Sequence, residues 1–321
     1  MNILILSSGT RNKIVQYAKQ TFGMDGYIVA TDSSKYAPSL YDADKYYIVP
    51  RIDNPQYLNI VLKICRDEKI DIVFSLIDPE LELIAENINK FESIGVTPIV
   101  SPLKWVKIAF DKMQMHNFCV ENSINTIKSF DSLEKVKNEI ATKKINYPLF
   151  AKPKSGSASK NIMKIENEEQ LDIYCKNEKD YIIQEYMEGV EIGCDVYIDS
   201  ISGEVVDIFT KKKLLMRSGE TDKAISFKDN KLFDFIKKFI SKSGYKYNID
   251  IDVYVKNGEY LLSEVNPRFG GGYPHAYECG CNFFDYIKTN INKEMNESKV
   301  GHYNENIVMM KYPEICIKEM E

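Results

Sequence analysis

The stretch from Ile249 to Gly272, IDIDVYVKNGEYLLSEVNPRFGGG, constrains the fold more than any other part of the chain. Ile249, Ile251, Val253 and Val255 alternate with Asp250, Asp252 and Tyr254, which predicts a strand with one apolar face and one acidic face. Asn257-Gly258 is a hairpin signal, because both residue types accept the positive φ of a tight turn. The return strand, Glu259 to Val265, carries Glu264 and runs into Asn266, Pro267 and Arg268. Register decides whether these groups meet. A strict two-residue loop sets Asp252 against Ser263, turns Glu264 to the other face and removes Asp252 from the set, since a one-residue slip exchanges faces. A three-residue loop, Lys256 to Gly258, sets Asp252 against Leu262 and puts Glu264 and Asn266 on its side, and this is the loop expected. Two carboxylates and an amide oxygen on one face suit Mg²⁺, with positions left open for phosphate oxygens. A surface hairpin with solvated acids is the alternative.

The first hundred residues alternate between short apolar runs and helical periodicity. Asn2 to Leu6 reads as a buried parallel strand, Ser7 to Thr10 as a turn, and Ile14, Val15, Ala18 and Phe22 as one helical face. A second strand at Tyr27 to Ala30 closes on Thr31 and Asp32. Helices over about Gln56–Lys69 and Pro79–Asn89, with strands at Asp71–Leu76 and Val96–Val100, complete a parallel α/β pattern. No GxGxxG follows the first strand, which argues against a dinucleotide site. Ligands in such sheets sit at strand carboxyl ends, here Ser8 to Arg11, Asp32 and Asp78 to Glu80, although each of these residues also suits a turn or a cap.

Beyond Pro102 come a helix with Trp105, Ile108 and Ala109, and a second amphipathic run from Lys112 to Cys119. A short strand near Thr126–Phe130 and a helix at Leu133–Ala141 follow. The segment Leu149 to Pro153 carries Lys152 into Lys154 to Asn161, a small polar loop, and Ile162–Ile165 returns. Such a hairpin presents backbone N–H groups suited to phosphate. Tyr181–Gln184 turns polar at Glu185. Glu191–Asp199 and Glu204–Lys211 read as an antiparallel pair. Leu215 to Phe227 reads as a long charged loop, and loops of that length are functional or disordered. A helix from Leu232 to Ile240 precedes the acidic hairpin, and a helix over Phe283–Ile291 and a strand at Ile307–Tyr312 follow it.

With 321 residues, 44% hydrophobic and 28% charged, the chain can form two or three compact units. A net charge of −5 and acids interleaved with lysines argue against nucleic acid as partner. No apolar run is long enough to span a bilayer and no leader is read, so no membrane partner is expected. Seven scattered cysteines suit a reducing cytoplasm. Cys279 and Cys281 with His275 lack the second ligand pair of a zinc site.

The order Lys112, Lys152 with its small-residue loop, Gln184-Glu185-Tyr186-Met187, Glu191, then Asp252, Glu264, Asn266 and Arg268 resembles the ATP-grasp superfamily. The Glu264–Phe269 ending EVNPRF is similar to that of the carbamoyl phosphate synthase large-chain-like, carboxylate-amine ligase branch. The resemblance implies an α/β fold: a pre-ATP-grasp Rossmann-like domain over 1–101, a small lobe and lid (α+β) over 102–187, and a C-terminal lobe with the metal site over 188–321. It implies that Lys112 and Lys152 reach the phosphates of ATP, with Ser155, Gly156, Ser157 and Ser159 in the phosphate loop. Gln184, Glu185, Tyr186 and Met187 would meet adenine and Glu191 the ribose. Asp252, Glu264 and Asn266 would hold Mg²⁺, as one or two ions with Mn²⁺ as a substitute. Arg268 would grip the transferring phosphoryl group, and Lys213 and Arg217 a substrate carboxylate. The implied reaction joins a small-molecule carboxylate to an amine through an acyl phosphate, in a monomer or homodimer. Bicarbonate activation and a catalytically idle ATP-binding regulator are the alternatives. Ala158 and Asn161 replace glycines common in that phosphate loop.

Overall fold

The structure, a computed structural model, describes residues 1–24, 26–156 and 162–319. Strands β1 (Ile3–Leu6), β2 (Ile28–Asp32), β3 (Lys45–Ile48), β4 (Ile72–Ser75) and β5 (Thr97–Pro98) form a parallel sheet in the order β3-β2-β1-β4-β5. β1 is apolar at every position because both faces are covered. Ile3 and Ile5 join the core with the helix Asn12–Phe22, while Leu4 and Leu6 pack with the helices Tyr57–Asp67 and Asp78–Glu86. The edge strand β3 is absent from the sequence reading, since Lys-Tyr-Tyr-Ile there is mostly exposed and has no apolar run. The single helix expected from Pro79 is two, Asp78–Glu86 and Ile88–Glu92, parted at Asn87 with φ −116°.

Strands β6 (Ser129–Phe130), β7 (Leu149–Pro153), β8 (Met163–Ile165) and β9 (Tyr181–Glu185) make an antiparallel sheet in the order β6-β9-β7-β8. Val136, Ile145, Leu149, Ala151, Ile165, Leu171 and Ile183 give it a small core of its own. The helix Glu168–Asn177 in this lobe was missed, although its start carries a signal. Asn167 accepts from the Gln170 backbone N–H, and the Gln170 side chain accepts from the Glu166 N–H, a near relative of the capping box.

The third sheet is antiparallel, ordered β14-β13-β10-β11-β12-β15. Its strands are β10 (Ile192–Ile198), β11 (Val205–Arg217), β12 (Glu220–Phe227), β13 (Tyr247–Lys256), β14 (Glu259–Asn266) and β15 (Val308–Met310). The helices Asn230–Lys242 and Phe283–Ile291 pack with it through Phe233, Ile236, Phe239, Phe283 and Phe284. Residues 215–227 are no loop. They finish β11, turn at Ser218 and Gly219 with φ of 52° and 79°, and return as β12. Register shifts between Lys213 and Met216 break the two-residue period, which hid the hairpin in the sequence.

The acidic hairpin also departs from expectation. Lys256 pairs with Glu259, and Asn257 and Gly258 have φ of 53° and 79°, so the turn is a tight two-residue one. The shared face comes from a bulge farther along: Val253 pairs with Leu262, but Asp252 pairs with Glu264. Ser263 is the extra residue, and beyond it Asp250 pairs with Asn266. A tight turn therefore does not remove Asp252.

Candidate active site

The bulge places Asp252 and Glu264 directly across from each other near the carboxyl end of β14. Both are hard oxygen donors and Asn266 follows two residues on, so the set fits a hard divalent cation. Among the described residues no three His, Cys, Asp or Glu side chains converge on one point, so the Asn266 amide is the further protein oxygen that this face offers. Asp252 already has a partner. Lys213 Nζ lies 2.5 Å from its Oδ1 and 3.3 Å from Glu191 Oε2. Lys213 gets there from β11 across β10, where Gly193 pairs with Asp252; a Cβ on Gly193 would come within 3.1 Å of Lys213 Cε. Burial favours the neutral lysine, but Asp252 and Glu191 outweigh it and raise the Lys213 pKa. Burial pushes the Asp252 carboxyl up, with Lys213 opposing.

Lys152 projects from β7 and is 8% exposed. Burial lowers its pKa; Glu264, Glu191 and Asp252 act against that and Lys112 acts with it, so these five charges share one neighbourhood. Lys112 starts the helix Lys112–Glu121, capped by the Asp111 side chain accepting from Met113 and Gln114 N–H. Its ammonium donates to Gly156 O at 2.6 Å and its backbone N–H to Lys154 O. Ser155 forms a bridge with Asp111. The expected phosphate-loop residues Ser157 and Ser159, with Ala158 and Asn161, lie outside the described residues. A cavity between the lobes is lined by Gly156, Asp78, Glu264 and Asn266.

At the end of β9, Gln184 is buried and donates to Ser129 Oγ at 2.7 Å. Glu185 is ion-paired with Lys256 at the end of β13, so this acid ties the two sheets together. Lys164 lies 4.9 Å from the Tyr186 ring centroid, and Met187 follows in the connection to Glu191.

Arg268 is nearly buried and ion-paired with Asp78: a terminal nitrogen donates to Oδ2 at 2.9 Å, and Nε lies 2.8 Å from Oδ1. The acids Asp78 and Asp250 outweigh burial and raise its pKa. Asp78 opens a helix of the parallel-sheet domain, so this pair links domain to lobe. Beside it Arg11 pairs with Glu220 at 2.9 Å, and Lys311 meets the same acid at 2.9 Å. The sequence reading missed Glu220 because it sits in the segment taken for a loop. Gly270, Gly271 and Gly272 pack so closely that a Cβ would meet Asp250, Arg11 and Lys211 within 2.9 Å. Of the other strand-end residues, Asp32 accepts from Gly9 and Ser34 N–H, a turn-holding role. Glu80 is fully buried and bonded by Tyr57 and Ser75. Arg217 is exposed near the β11–β12 turn, 3.6 Å from Asp222. His275 Nε2 donates to Ile307 O, while Cys281 is buried.

Residues 3–99 match the family described as PylC-like, N-terminal domain, and residues 109–272 match the ATP-grasp domain family. Over 286 residues the chain is 23% identical to a formate-dependent phosphoribosylglycinamide formyltransferase of Prochlorococcus marinus, covering 83% of this chain and 69% of that protein. Over 250 residues it is 27% identical to a D-alanine–D-alanine ligase of Fervidobacterium nodosum, covering 68% and 78%. The N5-carboxyaminoimidazole synthetase of Staphylococcus aureus superposes with a TM-score of 0.72 at 16% identity, covering 92% of this chain and 78% of that one, a likeness of fold.

Proposed function

The chain belongs to the ATP-grasp domain family, and we propose that it is an ATP-dependent ligase joining a small-molecule carboxylate to an amine. The observation that carries this reading is the bulged hairpin, which sets Asp252, Glu264 and Asn266 on one face within electrostatic range of the buried Lys152. A formyltransferase and an amino-acid ligase among its relatives support it.

In this reading the carboxylate attacks the γ-phosphorus of ATP and ADP leaves. The amine then attacks the acyl carbon, phosphate departs, and the amine's proton is lost as the amide forms. Asp252, Glu264 and Asn266 would hold Mg²⁺, as one or two ions with Mn²⁺ able to substitute, and the cation's charge offsets that of the phosphates. Lys152 and Lys112 bind phosphate oxygens as point charges, and burial of Lys152 strengthens that attraction. Gln184 to Met187 and Glu191 hold the nucleoside. Arg268, already oriented by Asp78, steadies the transferring group through donors not spent on that acid. Arg217 would meet the substrate carboxylate, and the loop of Ser155, Gly156, Ser157 and Ser159 would contact phosphate and keep water from the acyl phosphate.

The test is ADP and phosphate release with Mg-ATP and a panel of amino acids, dipeptides, sugar acids and bicarbonate. Release should require one acid and rise with one amine. Undiminished ADP formation in Glu264→Ala overturns the site, and release on bicarbonate alone overturns the substrate class.

A further inference from the structure

β11 sends Lys213 across the open Cα of Gly193 to a position between two acids of different duty. Asp252 belongs to the cation-binding face, and Glu191 to the nucleoside side. The Lys213 side chain is 6% exposed, so water offers its ammonium little substitute for those carboxylates. A divalent cation on Asp252 Oδ1 would compete for the oxygen that Lys213 holds at 2.5 Å, and two positive charges so close repel strongly in a poorly hydrated site. The cation gains Asp252 only if Lys213 gives it up. Lys213 gives it up cheaply only if another anion arrives within its reach. The phosphates of a nucleotide held by Lys152 and Lys112 are such an anion.

We propose that Lys213 is a positioning residue that makes cation binding at Asp252 conditional on nucleotide: it guards the carboxylate until phosphate draws its ammonium away. This rests on the nucleotide and cation sites proposed above. Because coupling between two ligands is reciprocal, Lys213 also makes nucleotide binding conditional on the cation by the same factor.

The experiment is Mn²⁺ titration of the full chain, by the loss of its free electron-spin resonance signal, with and without ADP. In the parent protein ADP should tighten Mn²⁺ binding by about tenfold or more. In Lys213→Met the affinity without ADP should rise by about tenfold and the gain from ADP should shrink to within about threefold. Lys213→Arg, which keeps the charge, should keep the coupling. Lys213→Gln serves the same purpose as Met if the apolar variant does not fold, and circular dichroism reports on folding. Unchanged or weaker Mn²⁺ binding without ADP in a folded Lys213→Met or Lys213→Gln overturns the proposal, because a lysine that merely stabilises the fold would give that result. Asp252→Asn separates the two readings: if it binds Mn²⁺ with ADP as the parent does, the cation site itself is wrong, whatever Lys213 does.

Discussion

Lys211 and Lys213 stand two residues apart on β11, and each reaches an aspartate, yet the surroundings of the two pairs differ. Lys211 is 1% exposed and bonded to Asp195, itself sealed in the sheet. Gly272 and Gly193 leave it room, and the Phe209 ring lies 5.8 Å from its ammonium. Burial pushes the Asp195 carboxyl up and Lys211 works against that, so the pair is stable only as a pair. Lys213 sits where Asp252 and Glu191 are 13% and 23% exposed, facing two acids at once. A lysine with one enclosed partner has one arrangement. A lysine with two partly open partners has alternatives, and alternatives are what binding and release require.

The comparison can be broken at several points. The largest effect is expected at the open end, on activity: Glu264→Ala should cost about a thousandfold in turnover, roughly 4 kcal/mol. Its urea midpoint should move little, as for a partly exposed residue outside the core. At the closed end the effect is on stability. Lys211→Ala leaves Asp195 buried and unpaired and should cost about 3–5 kcal/mol in urea denaturation. Replacing both partners, Lys211→Met with Asp195→Leu, should recover most of that loss, and failure to recover would mean that Lys211 contributes more than charge. Gly272→Ala drives a methyl to 2.8 Å from Lys211 Cε and should cost about 1–3 kcal/mol. The smallest effect belongs to Arg217→Ala at the exposed hairpin tip, where loss of the 3.6 Å pair to Asp222 should change stability by less than about 1 kcal/mol. If Arg217 captures substrate, that variant raises KM for the acid and leaves kcat alone.

The alternating strand, the hairpin at Asn257-Gly258 and the helices at Leu133–Ala141 and Phe283–Ile291 were legible because each rests on periodicity or turn chemistry carried by neighbouring residues. The resemblance carried by Glu264 to Phe269 was legible because several chemical residue types occur together there. The β11–β12 hairpin was not legible, because bulges erase the period on which strand reading depends. With it went Glu220 and its pairs to Arg11 and Lys311, and the engagement of Lys213 by two acids. The pair Arg268–Asp78 joins residues 190 positions apart, and no local pattern announces it.

By itself the sequence determined the parallel α/β opening and the existence of the acidic hairpin, which follow from spacings within a few residues, and the family resemblance, which is carried by the order of motifs from Lys112 to Arg268. Tertiary structure alone decided how that hairpin works. The turn is tight, as its two residues prefer, and the alignment of Asp252 with Glu264 comes from one extra residue at Ser263. Nothing in the local alternation marks that residue as unpaired. It is fixed where Asp252 must meet Gly193 on one side and Glu264 on the other, while the core holds Ile251, Val253, Leu262 and Val265 inside. Packing on one face thus chooses the chemistry presented by the other.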